Sequence, residues 1–198
     1  MIILDNGHGY DTYGKASPLW PDGTQLFEYE FNRDVVKRIH NTLCKLSIKS
    51  VILVPEAIDI SLSLRVKRAN DIYRSFPGSF LISVHGNAGG GNGWEVWTSP
   101  GQTESDVIAN YIYYAAKKYL SQFKMRHDYL DGDPDKESRF TILTKTICPA
   151  VLTENLFFDN WEEYQFMNSN EGREIIANLH VEGVINYIKH LYNEEINK

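Results

Sequence analysis

Short apolar runs alternate along this chain with longer stretches whose apolar residues recur every three or four positions, and that alternation narrows the fold more than any other feature. Ile2–Leu4, Ser50–Val54, Phe80–Val84, Trp94–Thr98, Phe140–Leu143 and Ala150–Thr153 read as strands. Phe31, Val35, Ile39, Leu43 and Leu46 form one helical stripe between them. Leu62, Leu64, Val66, Ala69, Ile72 and Tyr73 form a second behind a Ser61 cap, and Ile108, Tyr111, Ile112, Ala115, Tyr119 and Leu120 a third. Ile175, Ile176, Leu179, Ile185, Ile188 and Leu191 mark a long terminal helix, and 193–198 reads as a polar tail. Strands separated by helices pair in parallel through crossovers. The pattern therefore predicts an α/β fold, one domain over 1–192 with a mostly parallel central sheet and helices on both faces.

Composition removes several functional classes. Hydrophobic residues make up 42% and charged ones 23%, the balance of a globular chain that buries a core. The formal net charge of −6 argues against a nucleic-acid binder held by a general basic surface. Cys44 and Cys148 are the only cysteines, too few for a disulfide framework or a cysteine-built zinc site. No apolar run approaches the roughly 18 residues of a membrane span. Met1 runs directly into the first strand, so no signal-peptide pattern is read at the start.

Two loop motifs invite a ligand and fail on detail. Gly86–Gly93 is rich in glycine but lacks the Lys-Ser/Thr ending of a phosphate loop, and a strand follows it, so a flexible connection is expected. Asp131, Asp133 and Asp135 alternate like the start of an EF-hand. Lys136 stands where the turn glycine belongs and Ile142 where the closing glutamate belongs, so 125–138 is expected to be a solvated acidic loop.

The histidines divide more sharply. His40, His180 and His190 fall on helices, where satisfied or solvent-facing roles are the default, and His127 lies in the polar loop. His8 and His85 each follow a strand directly, with small or polar neighbours that leave room for a ligand. Ligands of open α/β sheets gather at the carboxyl ends of strands, so these two are candidates to converge, the alternative being two loop histidines that never meet. A third strand ends in Glu154, a carboxylate that is costly to bury without a partner or a task. Glu28 and Glu30 stand at the start of the first helix, where the dipole favours acids. Spacing alone leaves open which acid joins the histidines, and whether they meet at all.

Taken in order, four segments resemble one family. Leu4-Asp5-Asn6-Gly7-His8-Gly9, Glu28-Tyr29-Glu30-Phe31-Asn32, Ile82-Ser83-Val84-His85-Gly86-Asn87-Ala88 and Pro149-Ala150-Val151-Leu152-Thr153-Glu154 resemble the zinc-dependent N-acetylmuramoyl-L-alanine amidases of the amidase-3 type. The second-helix stretch Ser61–Asn70 and the continuation Asn155–Asn160 are similar to that family too. The resemblance implies one Zn2+ per chain held by His8, Glu28 and His85, with Glu154 as the catalytic glutamate. Glu28 is preferred to Glu30 because the family's ligand stands four residues before an asparagine, here Asn32.

The same resemblance implies hydrolysis of the amide between N-acetylmuramic acid and L-alanine, with peptidoglycan as partner. Asn87 and Arg139 are expected at the substrate, and Asp5 is expected to brace His8. A non-catalytic wall-binding module and a zinc amidohydrolase or peptidase for other small amides are the alternatives. The chain departs from the family at Val54-Pro55-Glu56, where an arginine is common, at Gly86 in place of alanine, and at Asn155 in place of glycine. With no export signal read, a phage or prophage lysin or a chain trimmed of its leader is expected to act on the wall.

Overall fold

The structure, a computed structural model, describes residues 1–196. Strands β1 (Ile2–Asn6), β2 (Ser50–Ile52), β3 (Phe80–Asn87), β4 (Trp94–Thr98), β5 (Lys136–Glu137) and β6 (Ala150–Phe157) form one sheet in the order β2-β1-β3-β6-β4-β5. β2, β1, β3 and β6 run parallel, β4 is antiparallel to β6, and β5 is parallel to β4. The helices are α1 (Glu28–Lys45), α2 (Leu62–Ser75), α3 (Glu104–Tyr119), α4 (Thr141–Thr144), α5 (Trp161–Asn168) and α6 (Asn170–Ile196).

The two-residue period of a strand sends alternate side chains into two cores. Ile2, Leu4, Ile82, Val84 and Val151 pack with Val35 and Ile39 of α1, Ile112 of α3 and Leu179 of α6. Ile3, Leu81 and Leu152 pack on the other face with Ala69 of α2 and Ile142 and Leu143 of α4. This is the mostly parallel sheet with helices on both faces that the alternation predicts. Ser61 caps α2 as expected, its side chain accepting from Leu64 N. Among the described residues no helix is long and apolar enough to cross a membrane.

Several local expectations are corrected. Phe140–Leu143 is not a strand; Phe140 precedes α4, and its carbonyl accepts from Leu143 N and Thr144 N. Four apolar or β-branched residues carry too little periodicity to separate one helical turn from a strand. β3 runs on to Asn87, so His85 lies within it and not just beyond it. The eight-residue helix α5, capped by Asn160, was not legible because its hydrophobic pattern is weak. α6 continues through Ile196, into the stretch read as a polar tail, while Asn197 and Lys198 lie outside the described residues. Finally, 125–138 is not a solvated acidic loop, because Asp133 and Asp135 are buried and β5 lies within it.

Candidate active site

Register brings the polar residues of four strands to one end of the sheet. Asp5 pairs with Ser83 across β1 and β3, and His85 with Glu154 across β3 and β6. Glu154 in turn pairs with Glu95 of β4. Asp5, Ser83, His85 and Glu154 each stand two residues after an apolar position or one another, so they continue the face packed by α2 and α4. A row that is apolar inside the sheet becomes ionisable at its carboxyl edge.

His8 reaches that edge through an unusual backbone. Its φ is 66°, the left-handed region, and Arg33 Nη1 holds its carbonyl at 2.7 Å. Glycine is required on both sides. A Cβ on Gly7 would stand 2.0 Å from the His85 ring, and one on Gly9 would stand 1.9 Å from the Asp59 backbone nitrogen.

Glu28 enters from the first turn of α1, buried, over the ends of β1 and β3. His85 Nδ1 lies 3.1 Å from its Oε1 and His8 Nε2 lies 3.4 Å from its Oε2. The two imidazoles stand edge to face, with centroids 5.1 Å apart. Oε1 also accepts from Gly86 N, whereas Oε2 makes no hydrogen bond and has the Lys15 ammonium 3.6 Å away. Glu30, two residues on, is exposed and accepts from Tyr29 Oη. The structure thus gathers His8, Glu28 and His85, with one donor atom from each within 4.8 Å of the others. Two imidazoles, a buried carboxylate and an orphaned carboxylate oxygen fit a divalent ion that takes nitrogen and oxygen ligands, as zinc does.

Electrostatics point the same way. Burial alone would raise the Glu28 carboxyl, yet the two histidines hold it well below the carboxylate range. Burial would likewise lower His85, and the Glu28 carboxylate raises it instead. Glu154 behaves oppositely. Burial, with Glu28 and Glu95 nearby, pushes its carboxyl up to about 8 against the pull of His85, and its Oε2 is buried without a partner.

His85 has support that the sequence reading assigned elsewhere. Ser83 Oγ donates to Asp5 Oδ2 at 2.6 Å, so it is left to accept from His85 Nε2 at 3.2 Å. That directs Nδ1 toward Glu28 and the shared centre. Asp5 therefore braces His85 through Ser83, and not His8. Asp5 is itself held by Arg65 at 2.6 Å, and both side chains are 3% exposed. Arg65 also reaches the Asn6 carbonyl and Asp59.

Removing one member of such a buried pair leaves the other uncompensated. Asp5→Asn is expected to cost about 3–5 kcal/mol in urea unfolding. A loss below about 1 kcal/mol would show that Asp59 alone neutralises Arg65.

The two expected substrate contacts fare differently. Arg139 is exposed and lines a cavity of about 520 Å³ together with His8, His85 and Phe140. The side chain of Asn87 is engaged within the protein, donating to Glu95 Oε1 at 2.8 Å and accepting from Ala88 N. Glu95 is gripped in turn by Arg126 and Lys136. Arg33, Ser83 and Arg65 were missed by sequence reasoning. Only Ser83 carried a usable signal, two positions before His85 on the same strand face.

Two of the helical histidines keep structural roles. His180 is buried between Ile176 O and Thr153 Oγ1, and burial pushes it down to about 4. His40 bonds Ser50 Oγ.

The sequence model of the Amidase_3 family, described as N-acetylmuramoyl-L-alanine amidase, matches residues 2–186. The chain is 28% identical over 92% of its length to N-acetylmuramoyl-L-alanine amidase CwlM of Bacillus licheniformis, of which it covers 66%. It is 29% identical over 93% of its length to the endolysin of Bacillus phage SPP1, of which it covers 64%. The chain thus spans slightly less than two thirds of these relatives. Among solved structures, an N-acetylmuramoyl-L-alanine amidase from Clostridium difficile 630 superposes with a TM-score of 0.81 at 26% identity. That match covers 95% of this chain and 96% of the other.

Proposed function

The chain belongs to the Amidase_3 family, described as N-acetylmuramoyl-L-alanine amidase, and from that premise we propose that it hydrolyses the amide between N-acetylmuramic acid and L-alanine in peptidoglycan, using one zinc ion. The observation that carries this reading is the convergence of His8 and His85 on the buried Glu28, with Glu154 on the adjoining strand. The catalytic domain is taken as residues 1–192, acting at the cell wall.

In this reading His8, Glu28 and His85 hold the metal. Zinc, when bound, supplies a Lewis acid with an open position that polarises a carbonyl and lowers the pKa of water to about 7. The protein's own groups do the rest. Ser83 and Asp5 orient the His85 ring, and Arg33 keeps His8 in its left-handed conformation by its carbonyl. Glu154 Oε2 accepts a proton from the attacking water and returns it to the alanine nitrogen, which leaves poorly unless protonated. A carboxyl raised toward neutrality suits both transfers. Arg139 borders the cleft and is assigned to substrate contact. Asn87 is assigned to shaping that border through Glu95.

Digestion of purified peptidoglycan tests the bond assignment. The expected products are peptides with new amino-terminal L-alanine and glycan strands that keep their lactyl groups. New reducing ends without alanine amino termini would replace the reading with a glycan-cleaving one. Wall binding with no released amine would favour a binding module.

A further inference from the structure

The acidic segment that fails as an EF-hand folds into a different arrangement. Asp133 and Asp135 turn inward and meet Asp106 of α3, and one oxygen from each carboxylate lies within 4.8 Å of the others. The three are 8%, 1% and 2% exposed. Among the described residues no lysine, arginine or histidine forms an ion pair with any of them. The nearest cationic neighbour in sequence, Lys136, is committed to Glu95 and lies over the Trp97 ring.

Their polar partners are few. Thr98 Oγ1 has one hydrogen to give and stands 2.5 Å from Asp135 Oδ2 and 3.3 Å from Asp106 Oδ1. Gln102 donates to Asp133 Oδ2, and Thr103 donates to Asp106 Oδ2 at the start of α3. Asp133 Oδ1 and Asp135 Oδ1 are buried with no hydrogen-bond partner. Two orphaned oxygens in an uncompensated group of three buried carboxylates are expensive unless a positive charge joins them.

We propose that Asp106, Asp133 and Asp135, with the Thr98 hydroxyl, form a second cation site that takes a hard divalent ion of the calcium type. Every available donor is oxygen, which selects against the softer ions favoured by imidazole and thiolate. One edge of the cluster meets the surface at Asp133, which lines a cavity of about 370 Å³ with Gly132, Tyr111 and Tyr114. The ion would tie the 131–135 segment to the end of β4 and the start of α3. β5 pairs with β4 there, and Lys136 on β5 holds Glu95 beside Glu154. The site is thus structural, and separate from the His8–Glu28–His85 centre.

The alternative is neutralisation by protons. Burial together with Asp133 pushes Asp135 up to about 8, so the pair can share one proton at neutral pH when no cation is present. The two cases separate experimentally on the full chain, stripped with chelator and reloaded with zinc. Terbium is expected to bind and emit through Tyr111 and Tyr114, and to be displaced by calcium. Calcium at about 100 times its dissociation constant should raise Tm by roughly 5–10 °C.

Asp135→Asn and Asp133→Asn should each remove both responses, while Glu28→Gln keeps them. Should Asp135→Asn fail to fold, Asp133→Asn and the wild-type terbium titration still decide. Absence of a calcium effect on wild-type Tm and terbium emission would overturn the site. So would a response that persists in the folded aspartate variants, or one lost in Glu28→Gln.

Discussion

Glu28→Ala is expected to leave the purified protein without zinc and to reduce wall hydrolysis to background. The carboxylate is the only charged member of the proposed ligand set, and both imidazoles point at it, from 3.1 and 3.4 Å. Without it two neutral imidazoles remain, and the ion loses both a ligand and its charge balance. The loss in affinity should exceed the ~10–100-fold that follows when a group merely orienting a ligand is removed. Glu30→Ala, at an exposed position, should leave metal content and turnover unchanged. Metal analysis of both variants beside a wall-digestion assay checks this, with circular dichroism to confirm folding. A zinc-replete but inactive Glu28→Ala would mean that Glu28 is not a ligand, and a metal-free Glu30→Ala would move the assignment by two residues.

Glu154→Gln should fail differently. The amide keeps the shape of the side chain on β6 and removes its capacity to carry a proton. Zinc content and wall binding should stay at the wild-type level, while turnover drops by about 10²–10⁴. The group is not a ligand in this reading, because Glu28, His8 and His85 form the donor set and Glu154 lies across the β3–β6 pairing. Burial already holds its carboxyl near neutrality, so replacing it with glutamine changes proton transfer without leaving an unpaired buried charge. Normal hydrolysis by Glu154→Gln would remove the proton-transfer role, and loss of zinc would make Glu154 a ligand. A fall in both metal and turnover in each variant would merge the two roles.

Much of this arrangement was legible in the chain because its signals are local. Short apolar runs at Ile2–Leu4 and Phe80–Val84 and period-3.6 stripes in α1 and α2 specify elements from neighbouring residues alone. Alternating strands and helices then leave few topologies besides a parallel sheet, and parallel strands put their carboxyl ends on one edge. His8, His85 and Glu154 follow as edge residues. What local patterns could not reach was which side chains of distant segments touch. Glu28 and Glu30 are both helix-start acids in the chain. Only the docking of α1 over β1 and β3 buries one and exposes the other.

The same limit explains the errors. Asp5 is three residues from His8 in sequence, but the β1–β3 register sets it beside Ser83, and Ser83 is two residues from His85 on one face. Asp133 and Asp135 look like solvated loop acids because charge usually faces water. Their burial depends on Asp106 and Thr98, some thirty residues away, being carried to the same place by α3 and β4. The sequence by itself therefore determined most of the elements, the sheet type and the set of side chains that arrive at its carboxyl edge. Only the tertiary structure decided which of them touch, which lose water and which are left without a counter-charge, because desolvation and pairing belong to contacts that no local pattern encodes.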